Sequence, residues 1–172
     1  MASLRLYGDP ALRRKAAPVT RFDDGLRALA RDMTAVMHGH AGVGLAANQV
    51  GAAQRVIVVD LSGGEREDEA FALVNPRVTA RTGSFADEEG CLSFPGLRFP
   101  VRRALEARIE AQDLAGNPVV HEARGLLARV LQHEVDHLDG VLFVDRLPWR
   151  RRIAMWLKLP GLKRTYAKQK AA

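Results

Sequence analysis

The segment Gln132-His-Glu-Val-Asp-His137 constrains this chain more than any other part of its sequence. His133 and His137 are four residues apart, so their imidazoles share one face when the segment is an α-helix. On such a face the two imidazoles can hold one metal ion, and the Glu134 carboxylate can reach a water bound to that ion. The pattern therefore predicts a helix and is typical of metal-assisted hydrolysis of a carbonyl compound.

A catalytic metal of the zinc type needs a third protein ligand beside two histidines. Downstream of His137 there is no further histidine, and Asp139 and Asp145 are the only acidic residues, which argues against the common metalloprotease arrangements. Upstream, Cys91 is the one cysteine of the chain. A lone cysteine is more often a small buried apolar residue than a ligand. From the residues alone, both interpretations of Cys91 stay open.

Composition favours a single globular domain in a reducing compartment. The 172 residues are 47% hydrophobic, and a chain of this size buries about 70% of its unfolded surface. The apolar stretches are too short to span a bilayer, and the first residues do not resemble a secretion signal. A single cysteine excludes an internal disulfide. We therefore expect a cytoplasmic protein with no membrane partner.

The spacing of apolar residues predicts an α+β fold. The predicted helices run from Asp23 or Asp24 to about Gly39, from about Arg124 to Leu138, and from 149 to 159 with an interruption at Pro160-Gly161. The predicted strands are 55–61, 71–79, 105–112 and 119–122, with a loop at 42–49. We expect mixed, mostly antiparallel sheets packed around a central helix that carries the metal motif, followed by a C-terminal helix.

Three segments together resemble the signature motifs of a known enzyme family. In order, they are Gly42-Val-Gly-Leu-Ala-Ala-Asn-Gln49, Glu89-Gly-Cys-Leu-Ser93 and Gln132-His-Glu-Val-Asp-His137. All three are intact and resemble the motifs of peptide deformylase. The resemblance implies a catalytic domain at 1–148, with 149–172 as a basic helical extension of it. It also implies removal of the formyl group from the N-terminal formyl-methionine of nascent polypeptides.

The resemblance implies a role for six residues by motif position. The metal ligands are Cys91, His133 and His137, the general acid/base that activates the metal-bound water is Glu134, and the oxyanion hole is the Gln49 side-chain amide with the Leu92 backbone N–H. One thiolate and two imidazoles suit Fe²⁺, Zn²⁺, Ni²⁺ or Co²⁺. The family implies one divalent ion, Fe²⁺ in the cell, with another ion often present after purification.

Five further residues are candidates for binding the formylated peptide. The resemblance places Gly44 on the edge along which the substrate backbone pairs as an added strand. Val43 and Leu126 are candidates for the apolar pocket of the methionine side chain. Arg98 is a candidate for the rim, with a surface salt bridge as the alternative. Arg129 either packs its stem and extends its guanidinium into water, or places that guanidinium at the pocket rim.

The positive charge is concentrated at the C-terminus. Residues 1–144 contain 17 Lys and Arg against 19 Asp and Glu, whereas 145–172 contain nine against one. This segment can dock on ribosomal RNA, where family substrates emerge. A solvated helix end explains the charge equally well. The basic residues concerned are Arg150, Arg151, Arg152, Lys158, Lys163, Arg164, Lys168 and Lys170.

Two functions of other classes remain as alternatives. A metalloprotease of the His-Glu-x-x-His type would share the helix motif, but it would not use an upstream cysteine. A catalytically silent ribosome- or RNA-binding relative would keep the metal site without the reaction. Intact Glu134 and Gln49 argue against this second alternative.

Overall fold

The computed structural model describes residues 2–66, 69–156, 159–161, 164 and 167. Within them lie the helices α1 (Asp24–Gly39), α2 (Gly125–Leu138) and α3 (Trp149–Trp156). The strands are β1 (Gly44–Ala46), β2 (Val56–Val59), β3 (Phe71–Thr82), β4 (Phe85–Gly90), β5 (Arg98–Arg103), β6 (Glu106–Gln112) and β7 (Pro118–Arg124). Short 3-10 helices occupy Pro10–Arg13, Ala47–Val50 and Phe143–Arg146.

Five strands form one antiparallel sheet in the order β1-β2-β3-β6-β7, and β4 and β5 form a separate antiparallel hairpin. Helix α2 packs across the larger sheet, and α1 packs against β1 and β2. This arrangement confirms the expected α+β class, with mostly antiparallel sheets around the helix that carries the metal motif.

The continuous apolar run of β2 follows from burial on both of its faces. Val56 and Val58 belong to the core cluster that includes Met33 of α1. Ile57 and Val59 belong to the cluster that includes several residues of α2. Because successive side chains of a strand point to opposite faces, the two helices cover opposite sides of the sheet, and β2 needs apolar residues at every position.

Helix α1 has the expected start and apolar face. The Asp23 side chain accepts a hydrogen bond from the Leu26 backbone N–H at 3.1 Å, which satisfies a donor of the first turn. Leu26, Ala30, Met33 and Met37 are buried at intervals of three and four residues. The predicted helix from Asp23 or Asp24 to Gly39 is therefore confirmed.

Two local expectations need correction, and one hairpin was not predicted. The predicted loop at 42–49 is wrong, since Gly44–Ala46 pairs with β2 and Ala47–Val50 is a 3-10 helix. A three-residue strand is too short to show a period of two. The sequence also does not indicate the β4–β5 hairpin, whose acidic Asp87-Glu-Glu89 and whose Pro100 are disfavoured in strands.

The expected interruption at Pro160-Gly161 is also wrong, because Leu159, Pro160 and Gly161 are helical. Met155 and Leu159 are buried in a third core cluster, beside Phe94 and Phe143. This tertiary packing opposes the cost that proline places on a helix. Among the described helices, none has the length and apolar character needed to cross a membrane.

Leu131 tests the packing of α2 on the sheet. It is fully buried, so Leu131→Ala should lower the free energy of unfolding by about 2–5 kcal/mol through lost burial and a residual cavity. Leu126 on the same helix is 56% exposed, and Leu126→Ala should change stability by less than about 0.5 kcal/mol. Urea denaturation of the metal-free proteins measures both, and equal losses would contradict this core.

Candidate metal centre

The two motif histidines and the lone cysteine meet at one point. His133 and His137 lie one turn apart on α2, and Cys91 follows the last residue of β4. His137 Nε2 is 3.2 Å from Cys91 Sγ and 3.1 Å from His133 Nε2. All three donor atoms lie within 4.8 Å of one another. The structure thus brings together the three residues that the sequence proposes as ligands.

The donor set fits a divalent cation of the zinc or ferrous type. Ligand bonds of about 2.0–2.3 Å in a tetrahedron leave neighbouring nitrogen and sulfur atoms roughly 3.3–3.7 Å apart. The observed separations of 3.1 and 3.2 Å are close to this range. One soft thiolate and two imidazoles are donors that such ions prefer. The upstream position of Cys91 also differs from the metalloprotease alternative, which takes its third ligand downstream.

Glu89 orients the first of these histidines. Its Oε1 lies 2.6 Å from His133 Nδ1, and the same carboxylate accepts from Arg103 Nη2 at 2.7 Å and Nε at 2.9 Å. Because Nδ1 of His133 is engaged by Glu89, its Nε2 is the nitrogen directed at Cys91 and His137. A carboxylate behind a ligating imidazole fixes both the ring orientation and the tautomer.

The Glu89 carboxylate belongs to a chain of charges that runs from the interior to the exposed Arg146. Arg103 also donates to Asp136 at 2.5 Å, and Asp136 in turn accepts from Arg146 at 2.6 and 3.0 Å. Burial alone would raise the pKa of Glu89, but the hydrogen bonds from Arg103 and His133 outweigh it and hold that pKa well below its usual range. Glu89 is therefore a permanent anion at neutral pH.

Sequence reasoning missed the roles of Glu89, Arg103 and Asp136. Glu89 and Asp136 each lie within a signature segment, so motif position was an available signal for both. Arg103 had no such signal, since it lies on β5 and meets Glu89 of β4 only in the folded protein. Glu89 and Asp136 together neutralise a buried arginine that would otherwise be costly.

Glu134 is 4% exposed, and its Oε2 has no hydrogen-bond partner among the residues that the structure describes. Burial raises the pKa of Glu134 to about 7, and a bound cation would lower it again. Burial lowers the pKa of His137 well below its usual value, which favours the neutral imidazole that a metal requires. Glu134 is thus a buried carboxylate available for proton transfer next to the three donors.

Gln49 lies at the same point because of the 3-10 helix Ala47–Val50. Its Oε1 accepts from the Ala46 backbone N–H at 2.8 Å, which fixes the orientation of the amide. The Nε2 group then faces Ser93 Oγ at 3.1 Å and Cys91 Sγ at 3.5 Å. An N–H donor is therefore held rigidly beside the cysteine. Asn48, the preceding residue, donates to the backbone carbonyl of His137 and ties this 3-10 helix to α2.

A cavity of about 660 Å³ opens onto these groups. Its volume is within the usual range for small-molecule sites. His137 lies beneath the cavity and is fully buried. The lining includes every residue that the sequence proposes as catalytic or substrate-binding, namely Val43, Gly44, Gln49, Leu92, Arg98, Leu126, Arg129 and Glu134, together with the ligands Cys91 and His133.

Two arginines of the lining differ in their surroundings. Arg98 is exposed at the cavity and forms no ion pair with a residue that the structure describes. Arg129 is buried, and its Nη1 donates to Glu89 Oε2 at 2.9 Å and to the Val101 carbonyl at 3.0 Å. The interpretation that places the Arg129 guanidinium in water is therefore wrong, because the β4–β5 hairpin covers it.

A thiol, two imidazoles, a buried carboxylate and an oriented amide around one cavity define a metal-dependent hydrolase of carbonyl substrates. Comparison with known proteins agrees with this class of enzyme. A family model described as polypeptide deformylase matches residues 1–152. The chain belongs to this family, whose activity is metal-dependent removal of the N-formyl group from nascent peptides.

Individual relatives resemble the chain over most of its length. A peptide deformylase of Dictyoglomus thermophilum is 50% identical over 143 residues, which cover 83% of this chain and 90% of the relative. The crystal structure of a peptide deformylase from Thermus thermophilus has a TM-score of 0.88 at 44% identity, covering 98% of this chain and 99% of that one. One from Legionella pneumophila has a TM-score of 0.89 at 40% identity, covering 97% and 98%.

Gly44 tests the close approach of β1 to Glu134. A Cβ at this position would lie 2.6 Å from Glu134 Oε1 and 2.7 Å from Val130 Cγ1. Gly44→Ala should therefore displace Glu134 and lower kcat/KM for formylated peptides about 100-fold, as misplacement by about 1 Å can do. At Gly39 a Cβ meets nothing within 4 Å, so Gly39→Ala is the matched control. Equal kcat/KM for the two variants would contradict the close approach.

Proposed function

We propose that Glu134 is the proton-transfer group of the deformylation and that Cys91, His133 and His137 hold the divalent ion. The observation that supports this assignment is the buried Glu134 carboxylate with an unpartnered oxygen beside the three convergent donors. When bound, the ion supplies Lewis acidity and a nucleophilic water at neutral pH. Glu134 would take a proton from the water that adds to the formyl carbon. It then delivers the proton to the departing amine, which cannot leave as an anion.

The oxyanion of the tetrahedral intermediate is proposed to accept hydrogen bonds from Gln49 and from the Leu92 backbone N–H. Gln49 supports this role because its amide cannot turn without losing the bond from Ala46. A donor that is oriented before the reaction stabilises developing negative charge without reorganising. Leu92 lines the same cavity and directly follows the proposed ligand Cys91.

The formylated peptide is proposed to bind along β1. This strand is at an edge of the five-stranded sheet, and β2 is its one partner among the described strands, so its other edge can accept an extended peptide. Val43 and Leu126 line the cavity beside it. Leu126 is 56% exposed, and a methionine side chain in the cavity would cover it. Arg98 is proposed to contact the peptide at the rim.

We propose Fe²⁺ as the ion in the cell, with Zn²⁺, Ni²⁺ or Co²⁺ as ions that the same donors accept. A ferrous ion beside a thiolate makes the site sensitive to oxygen, because Cys91 can be oxidised. The proposed location is the cytoplasm, where ferrous iron and a reduced thiol persist. We also propose that 1–148 form the catalytic domain and that 149–172 are a basic extension of it, anchored by the buried Met155 and Leu159.

Glu134→Gln tests the proton-transfer role. The metal-free protein is reconstituted anaerobically with Fe²⁺, Ni²⁺ or Zn²⁺, and formate release from formyl-methionyl peptides is measured. The variant should retain the ion and release formate about 10²–10⁴-fold more slowly than wild type. The control Glu122→Gln, at an exposed residue of β7, should match wild type. Near wild-type turnover of Glu134→Gln would remove Glu134 from this role, and turnover without any ion would contradict the metal assignment.

The basic extension is proposed to dock on ribosomal RNA. Arg150, Arg151, Arg152 and Arg164 are exposed, which leaves their charges accessible to phosphate. The lysines proposed for the same surface, Lys158, Lys163, Lys168 and Lys170, lie outside the described residues.

Removal of residues 161–172 tests this docking. The described residues of that segment are exposed, so the truncated protein should fold and hydrolyse short formylated peptides at the wild-type rate. Its association with ribosomes should be weaker, and less dependent on salt, because fewer phosphate contacts release fewer counterions. Sedimentation with ribosomes across a salt series measures this. Equal association of both proteins at every salt concentration would reject the proposal.

A further inference from the structure

We propose that Arg129 is a positioning residue of the metal centre. Its guanidinium holds Glu89 in the orientation in which that carboxylate engages His133 Nδ1, and it thereby directs His133 Nε2 at the ion. This inference rests on the proposed assignment of His133 as a metal ligand. It removes the Arg129 guanidinium from the peptide-binding role that its place on the metal side of α2 suggests.

Burial is the first observation that carries the proposal. Arg129 is 4% exposed, and a buried guanidinium is stable only with an opposite charge and hydrogen-bond acceptors around it. The opposite charge is Glu89, whose Oε2 accepts from Arg129 Nη1 at 2.9 Å. Arg129 lies one helical turn before His133, so both side chains reach Glu89 from the same side of α2.

The contacts of Glu89 show what Arg129 adds. Oε1 of Glu89 is contacted by Arg103 Nη2 at 2.7 Å and His133 Nδ1 at 2.6 Å, whereas Oε2 accepts from Arg103 Nε at 2.9 Å and Arg129 Nη1 at 2.9 Å. Each oxygen thus has two partners. Without Arg129, Oε2 would keep one donor, and the two bonds from Arg103 alone would have to hold the carboxylate against His133.

Arg129 also links α2 to the hairpin that leads to Cys91. Its Nη1 donates to the Val101 carbonyl of β5 at 3.0 Å, and its Nη2 donates to the Phe85 carbonyl of β4 at 3.4 Å. The guanidinium carbon lies 4.6 Å from the centre of the Phe85 ring. Cys91 directly follows β4. One side chain therefore connects the helix that bears two ligands with the hairpin that positions the third.

Cobalt binding tests the proposal with a readout other than activity. Metal-free wild type, R129M and R129K are titrated with Co²⁺ against a chromophoric chelator, and their visible spectra report the ligand geometry. R129M keeps an apolar stem at the cavity and removes the charge. R129K keeps the charge but lacks the planar group that reaches Glu89, Val101 and Phe85 together. The control R108M removes an arginine of β6 whose ion pairs, to Glu110 and Glu122, are exposed.

R129M should bind Co²⁺ about tenfold more weakly than wild type, within the 10–100-fold range for partners of metal ligands, and its cobalt bands should shift. The cobalt affinity of R129K should lie between those of R129M and wild type, and the affinity of R108M should equal that of wild type. Any folded Arg129 variant with the wild-type affinity for Co²⁺ and the wild-type cobalt spectrum overturns the proposal. If R129M does not fold, the result for R129K decides. An Arg129 variant with a raised KM for formylated peptides but unchanged cobalt affinity also overturns the proposal. If His133→Ala binds Co²⁺ as wild type does, the metal assignment itself fails.

Discussion

The buried Glu89 carboxylate is the interaction on which the arrangement of this site depends. Arg103, Arg129 and His133 converge on its two oxygens at 2.6–2.9 Å. These groups come from a hairpin strand and from the central helix, so the carboxylate joins the two elements that carry the candidate ligands. A charge of this kind is stable in the interior only when its partners are in place. The link between the hairpin and α2 and the orientation of His133 therefore depend on the same carboxylate.

The larger sheet determines how a substrate can reach Glu134. The edge strand β1 passes so close to α2 that a side chain at Gly44 would collide with Glu134. The absent side chain lets the Glu134 carboxylate lie against β1. A peptide that pairs with this edge would bring its formyl group to the cavity floor. Packing of α2 across the sheet thus places His133 and Glu134 beside the same cavity as Gly44 of β1.

Local signals in the sequence were sufficient for α1, for α2 and for the two histidines on one face of α2. Asp23 and the apolar spacing after it predict α1, and the spacing of His133 and His137 predicts a helical metal motif. The assignment of Cys91 needed the resemblance, because a lone cysteine carries no geometric information. The placement of Cys91 Sγ 3.2 Å from His137 Nε2 now supplies that geometry.

Long-range pairing accounts for what the sequence did not reveal. Acidic residues and a proline disfavour strands at the β4–β5 hairpin, whose Glu89 and Arg103 bond to side chains of α2. Without the hairpin, nothing indicates that Arg129 is covered, so an extended guanidinium in water is the natural expectation. The sequence gives no signal for Arg103 either, because its role depends on contacts with Glu89 of β4 and Asp136 of α2.

X-ray absorption at the metal edge of the reconstituted protein tests the central claim most directly. A site built from Cys91, His133 and His137 predicts one sulfur at about 2.3 Å and two imidazole nitrogens at about 2.0–2.1 Å from the ion. A spectrum with oxygen and nitrogen neighbours but no sulfur would show that the cysteine does not join the histidines, and it would contradict this account of the active centre.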